Sequence, residues 1–68
     1  METALQAVAK KPTLNNLIAA LQVLQTEGHG NDLVEMSSDE EGNGYAFLNN
    51  IEAVNPGIVT FWPTHETH

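Results

Sequence analysis

The amino-acid sequence predicts an α+β fold, with one amphipathic helix packed on a three-stranded antiparallel β-meander and room for a short extra helix at the N-terminus. Apolar residues recur at helical spacing within residues 13–27. Three runs rich in β-branched and aromatic residues follow within residues 33–63. The connections between these runs are too short for a crossover helix, so consecutive strands should be antiparallel.

The length of 68 residues predicts a single small domain with a thin core. A chain of this size buries only roughly 60% of the surface that its unfolded form exposes. Small domains often add disulfides, a metal or oligomerisation. The sequence contains no Cys, which excludes disulfides and thiolate metal sites. We therefore expect a second copy or a partner protein to supply further burial.

Residues 1–12 form an N-terminal extension. Leu5 and Val8 lie three positions apart, which suits one or two helical turns, although so short a helix is not stable alone. Pro12 ends the segment, because the residue before a proline is disfavoured from the α region. We expect either a short docked helix or a loose tail here.

Residues 13–27 carry the clearest helical pattern in the chain. Thr13 is a suitable N-cap, because its hydroxyl can accept a free backbone N–H of the first turn. Gly28 suits the position after the helix, where a positive φ is common. The apolar stripe consists of Leu14, Leu17, Ile18, Leu21 and Leu24.

Residues 33–63 form the predicted β-meander. Its strands are expected at 33–37, 45–48 and 58–62, joined by turns at 38–44 and 55–57. Asn43-Gly44 is a strong signal for a two-residue hairpin turn. Asn49-Asn50 should break or bend the second strand. Pro63 should end the third, leaving residues 64–68 as a polar tail. A three-stranded sheet has two edges, which invite pairing with another chain.

The charge balance narrows the classes of partner. The formal net charge is -7, the two bases Lys10 and Lys11 are adjacent, and eight acids follow from Glu27 onward without a Lys or Arg. We therefore expect no direct binding to nucleic acid and no binding to an anionic membrane, since both need basic side chains. The lack of a membrane-length apolar run or of a signal-peptide pattern predicts a cytoplasmic protein.

No known catalytic motif is present, so we expect no enzyme activity and no cofactor. Asp39, Glu41, Asn43 and Gly44 match four positions of a calcium-binding loop, but the twelfth position is Asn50 where a bidentate Glu is required. The spacing of His65 and His68 could suit a metal, but it lies at the chain end and lacks a third ligand. We therefore expect no metal site, and a calcium-binding acidic turn remains the less favoured alternative.

A protein-binding surface is the remaining candidate site. It would combine acidic side chains that meet a basic partner with aromatic side chains that act as anchors. The alternatives are that the acids only solvate a hairpin loop and that the aromatics belong to the core. The candidate residues are Asp32, Glu35, Asp39, Glu40, Glu41, Tyr45 and Trp62.

The sequence resembles small uncharacterised proteins of tailed bacteriophages. The resemblance covers roughly residues 14–63. The shared pattern is an L-x-x-L helix, followed by G-x-G, by S-x-D-x-E-G-N and by an apolar closing strand. The residues that match this pattern are Leu17, Leu21, Val34, Ser38, Asp39, Glu41, Gly42 and Asn43. The N-terminal extension through Lys11 departs from that pattern. The resemblance implies a phage source and a role inside an infected bacterium, and it carries over no catalytic residue.

Two functional hypotheses follow from these observations. The first is a small acidic module that binds a host or phage protein, such as a basic or nucleic-acid-binding host protein, and modulates or inhibits it. The most specific version of this hypothesis is that the module mimics the charge of nucleic acid. The alternative is a structural or accessory phage protein that acts as a homo-oligomer, with a homodimer as the simplest case.

Overall fold

The computed structural model describes residues 1–67, with the side chains of all of them except residues 54 and 65–67. The chain forms two compact units, Met1–Asp32 and a second that starts at Leu33. The first is helical and the second is a three-stranded antiparallel sheet. The predicted α+β class and the meander are thus confirmed, whereas the single-domain organisation and the packing of helix on sheet stay predictions.

Helix α1 spans Ala4–Lys10, so the N-terminal extension is a short helix. A capping box starts it: the Thr3 hydroxyl accepts the Gln6 N–H at 3.2 Å, and Gln6 Oε1 accepts the Thr3 N–H at 2.9 Å. These reciprocal bonds satisfy backbone donors that would otherwise be free, which favours helix in a segment of marginal length. The T-x-x-Q spacing is visible in the sequence.

Helix α2 spans Leu14–Leu24 and continues as a wider π-type turn over Gln25–His29. The predicted cap is confirmed, since the Thr13 hydroxyl accepts the Asn16 N–H at 3.1 Å. Gly28 has a φ of 107°, which glycine adopts without the steric penalty of a Cβ. Helical structure therefore covers the predicted span and ends where the glycine allows the backbone to turn.

The sheet has the order β1-β2-β3, with β1 at Glu35–Ser37, β2 at Tyr45–Asn55 and β3 at Ile58–Thr67. Strands β2 and β3 join through Pro56-Gly57, and Gly57 has a φ of 81°. Proline followed by a glycine at positive φ is the pattern of a type II turn. The predicted turn at residues 55–57 is therefore confirmed.

Three strand boundaries differ from the prediction. Strand β1 starts two residues later, at Glu35. Strand β2 continues through Asn49-Asn50, because one extra residue is accommodated between the pairs Leu48↔Pro63 and Asn50↔Trp62, as in a β-bulge. The predicted break is therefore only a bend.

Strand β3 passes through Pro63 and reaches Thr67, so the prediction that Pro63 ends the strand and leaves a polar tail is wrong for residues 64–67. His68 lies outside the described residues. Strand β3 is at the sheet edge, where a proline is tolerated because a missing N–H can face away from the ladder.

The described part of the chain has few fully buried hydrophobic residues, namely Ala20 and Ala46. Tyr45, Phe47 and Trp62 are each more than a third exposed, so the alternative that the aromatic side chains belong to the core is wrong for these three. None of the described helices has the length and apolar content needed to cross a membrane.

Candidate protein-binding surface

The acidic loop, residues 38–44, is organised by the Asp39 carboxylate. Asp39 Oδ1 accepts the N–H of Glu41 at 2.9 Å and the N–H of Asn43 at 3.2 Å. Its Oδ2 accepts from the side-chain amide of Asn43 at 3.1 Å. Hydrogen bonds from the Asn43 backbone and then from its side chain lower the pKa of Asp39, because they favour the charged form.

The acidic loop occupies the predicted turn at residues 38–44, and the same bonds hold it in a wider turn than the two-residue hairpin that Asn43-Gly44 favours. The Ser38 N–H donates to the Gly44 carbonyl at 2.8 Å, next to the pair Ser37↔Tyr45, so five residues, 39–43, lie between this hydrogen-bonded pair. The positive φ falls on Gly42, at 73°, and not on Asn43 or Gly44. The Asp39 carboxylate binds the Asn43 N–H in a short-range turn, which competes with a tighter hairpin.

The calcium hypothesis gains no support from this loop geometry. Both Asp39 oxygens accept hydrogen bonds from within the loop. Within the described residues, no group of three His, Cys, Asp or Glu side chains is arranged to hold a metal ion. The side chains of His65 and His68 lie outside the described part.

Tyr45 connects the acidic loop to the sheet. A Cβ placed on Gly42 would lie 2.5 Å from the Tyr45 hydroxyl oxygen and 3.4 Å from the adjacent ring carbon. The tyrosine ring tip therefore lies directly on the glycine backbone. Glycine at position 42 serves both the left-handed backbone and this close approach.

The strand register sorts the sheet side chains into two faces. Opposite residues of antiparallel strands share a face, and residues two apart along one strand do so as well. Glu35 pairs with Phe47, and Ser37 with Tyr45. Trp62 pairs with Asn50, beyond the bulge, which returns it to the face of Phe47. This face, named here the aromatic face, carries Glu35, Tyr45, Phe47 and Trp62.

The opposite face is the better buried one. Ala46 is buried, and Met36 lies directly opposite it in the register. Leu48 lies two residues farther along β2, and Phe61 reaches the same face beyond the bulge. Met36, Leu48 and Phe61 are half-buried. The sheet thus places its limited burial on one side and three of its four aromatic side chains on the other.

The structure brings most of the predicted site residues into one unit. Asp39, Glu40 and Glu41 are exposed in the acidic loop, and Glu35, Tyr45 and Trp62 lie on the adjoining aromatic face. Asp32 instead closes the helical unit, where its Oδ2 lies 2.8 Å from Nδ1 of His29.

Three residues of this surface were missed from the sequence. Phe47 is one, and its spacing of two from Tyr45 in a strand would have placed it on the same face. Gly42 and Asn43 are the others, since they shape the loop that presents the acids. An Asp followed within four residues by Gly and Asn is the sequence signal for such a turn.

Comparison with protein-family models, curated proteins and solved structures found no match for this chain.

Proposed function

We propose that this protein is a non-enzymatic binding module that docks on a basic surface of another protein. The resemblance to small phage proteins implies that the partner is a host or phage protein in an infected bacterium, which the docking modulates or inhibits. In the sharpest form of the proposal, the module mimics nucleic-acid charge and its partner is a nucleic-acid-binding host protein.

The observation that carries this proposal is the contact of Tyr45 with Gly42, because it makes the acidic loop and the aromatic face one continuous surface. The loop presents Glu40 and Glu41, both exposed. Carboxylates bind Arg and Lys by charge-assisted hydrogen bonds. Aromatic faces attract the same cations through their π electrons.

The distribution of charge along the chain supports the same surface. Residues 1–32 have three acids and two bases, a net charge of -1, whereas residues 33–68 have six acids and no Lys or Arg, which accounts for the remaining -6. A concentration of one sign steers oppositely charged partners toward it and raises the rate of encounter. The sheet unit is therefore the part of the chain that a basic protein would meet.

The test is capture of basic proteins from a bacterial lysate by the immobilised protein, quantified by mass spectrometry at low and high salt. We expect capture at low salt and its loss at high salt, because exposed charges are screened over about 10 Å at 0.1 M salt. The double variant Glu40→Gln/Glu41→Gln should lose most of the capture, since it keeps the size of both side chains and removes only charge.

The matched control is Glu2→Gln/Glu27→Gln, which removes the same charge from the helical unit. Glu2 pairs with the exposed Lys10 at 2.9 Å, and such a surface pair contributes little to stability. Equal loss in both double variants would show a response to net charge and would contradict a defined surface. Capture that does not change with salt would contradict the charge-based proposal altogether.

A further inference from the structure

The acidic loop contains the pair Asn43-Gly44, and Asn43 is the only asparagine in the sequence that a glycine follows. The backbone nitrogen that follows an asparagine can attack the side-chain amide and close a succinimide ring, with loss of ammonia. Glycine permits this attack best, because it has no Cβ to obstruct the ring closure and its backbone is the least restricted. Asn43 is also exposed and lies in the loop between two strands. The loop therefore holds the asparagine of this chain that is most reactive toward its own backbone.

The structure places the other asparagines where the same attack is slower. Asn15-Asn16 lie in α2, and Asn49-Asn50 lie in β2, where regular dihedral angles and backbone hydrogen bonds hold the following nitrogen in place. Asn31 precedes Asp32, whose side chain obstructs the approach. The residue after Asn55 is a proline, whose nitrogen carries no hydrogen to lose.

We propose that Asn43 is a site of spontaneous deamidation and that the reaction opens the acidic loop. The Gly44 nitrogen forms a bond to Cγ of Asn43 and gives up its proton, while the bond from Cγ to Nδ2 breaks and Nδ2 leaves as ammonia. Water then opens the succinimide at either of its two carbonyl carbons. Opening at the former side-chain carbonyl gives Asp, and opening at the former backbone carbonyl gives iso-Asp. Water is the only reagent consumed.

The Asp product turns an attractive contact in the loop into a repulsive one. Asn43 Nδ2 donates to Asp39 Oδ2 at 3.1 Å and lies 3.4 Å from Glu41 Oε2, to which it also donates. In the product an oxygen replaces Nδ2, so both carboxylates lose a donor and face a third carboxylate. Like charges this close repel, and residues 33–68 contain no Lys or Arg to offset them. The three side chains must therefore separate.

The iso-Asp product also lengthens the backbone of the loop. Its main chain runs through the former side chain, which adds a methylene between the nitrogen of residue 43 and that of Gly44. The Asn43 N–H donates to Asp39 Oδ1 at 3.2 Å, and the Gly44 carbonyl accepts from the Ser38 N–H at 2.8 Å. Because these two hydrogen bonds lie on either side of the added methylene, they cannot both keep their geometry.

Incubation of the full chain at neutral pH, followed by peptide mapping, tests the site. Cleavage after glutamate releases residues 42–52, a peptide that contains Asn43 together with Asn49-Asn50. We expect Asn43 to convert to a mixture of Asp and iso-Asp, which chromatography separates, while Asn49-Asn50 stay unchanged. Equal conversion of the asparagines of β2 would overturn the assignment. So would an unchanged Asn43 in the folded chain over the time in which a urea-unfolded chain converts.

Gly44→Ala tests the route through the succinimide. The φ of Gly44 is not in the left-handed region, so the substitution does not introduce that backbone strain. The new Cβ would lie 3.1 Å from Ser38 Oγ, a hydroxyl that can rotate away. The variant should lose most of the conversion at Asn43, because the Cβ obstructs ring closure. Unchanged conversion in the variant, or a product that is Asp alone in the unmodified chain, would overturn the route.

Asn43→Asp imitates one product and tests the opening of the loop directly. Amide hydrogen exchange at Glu41 and at residue 43 should accelerate, because the repulsion moves the Asp39 carboxylate away from both N–H groups. Asn15→Asp adds the same charge at an exposed position of the helical unit and should leave exchange in the loop unchanged. Equal exchange in Asn43→Asp and the unmodified chain would overturn the opening. These measurements use no partner, so the inference and the proposed docking can fail separately.

Discussion

Replacement of Gly42 by Ala should destabilise the sheet unit through two separate effects. The first is backbone strain, since φ at position 42 is 73° and an L-residue in the left-handed region costs about 1–2 kcal/mol. The second is a clash, because the new Cβ would lie 2.5 Å from the Tyr45 hydroxyl oxygen. The ring must then leave the glycine, with the loss of about 1 kcal/mol of apolar contact. The expected total is about 2–3 kcal/mol.

Gly57→Ala is the matched control for this prediction. Its φ is 81°, so it carries the same backbone strain, but among the described residues no heavy atom beyond its chain neighbours lies within 4 Å of the position of its Cβ. It should therefore lower the free energy of unfolding by only about 1–2 kcal/mol. Urea unfolding followed by the fluorescence of Trp62, the only tryptophan, measures both variants.

The difference between the two variants isolates the contact of Tyr45 with the loop. The ring resonances of Tyr45 should move in Gly42→Ala and stay in place in Gly57→Ala. If both variants lose the same free energy of unfolding and leave the Tyr45 resonances unchanged, the tyrosine does not lie on the loop. The continuity of the acidic loop with the aromatic face would then be refuted.

Three further predictions concern Asp39 and Thr13. Asp39→Ala should disorder the acidic loop, because the Glu41 N–H and two Asn43 groups lose their acceptor; amide hydrogen exchange at both residues should accelerate, and unchanged exchange would contradict this role. Because the pKa of Asp39 is lowered in the folded protein, its contribution to the free energy of unfolding is complete above the ordinary Asp pKa of about 3.9 and is lost as pH falls through the lower folded value. The carboxylate chemical shift of Asp39 should therefore titrate at a lower pH in the folded protein than in an unfolded reference. Thr13→Ala should lower helix stability by about 0.5–2 kcal/mol, with Thr13→Ser as the control that retains the cap, and an equal decrease of helical circular dichroism in both would exclude capping as the cause.

Features that depend on neighbours in sequence were predictable. Thr13 caps α2 because a hydroxyl three residues before a free N–H reaches it within one turn. Pro56-Gly57 forms a turn because proline fixes one φ and glycine permits the next. The capping box of α1 belongs to the same class, although the sequence alone left a helix and a loose tail equally open.

Features that depend on partners across the sheet were predicted less well. The residues Asn49-Asn50 do not by themselves indicate that β2 accommodates an extra residue and continues, because that outcome depends on the pairing of β2 with β3. Pro63 predicts the end of a strand, and this prediction changes only when β3 is known to lie at an edge of the sheet, where a proline is tolerated. The exposure of Tyr45 and Trp62 likewise depends on which face each residue occupies, and the register decides the face.

The acidic loop shows both kinds of information in one segment. Its charge, its exposure to solvent and its turn-forming residues followed from the sequence alone, because they are properties of the residues themselves. Only the three-dimensional structure showed that the Asp39 carboxylate accepts a hydrogen bond from the Asn43 N–H and that the Tyr45 ring contacts Gly42. Two turn geometries were open to the same residues, and the hydrogen bonds from Glu41 and Asn43 to the Asp39 carboxylate hold the wider one.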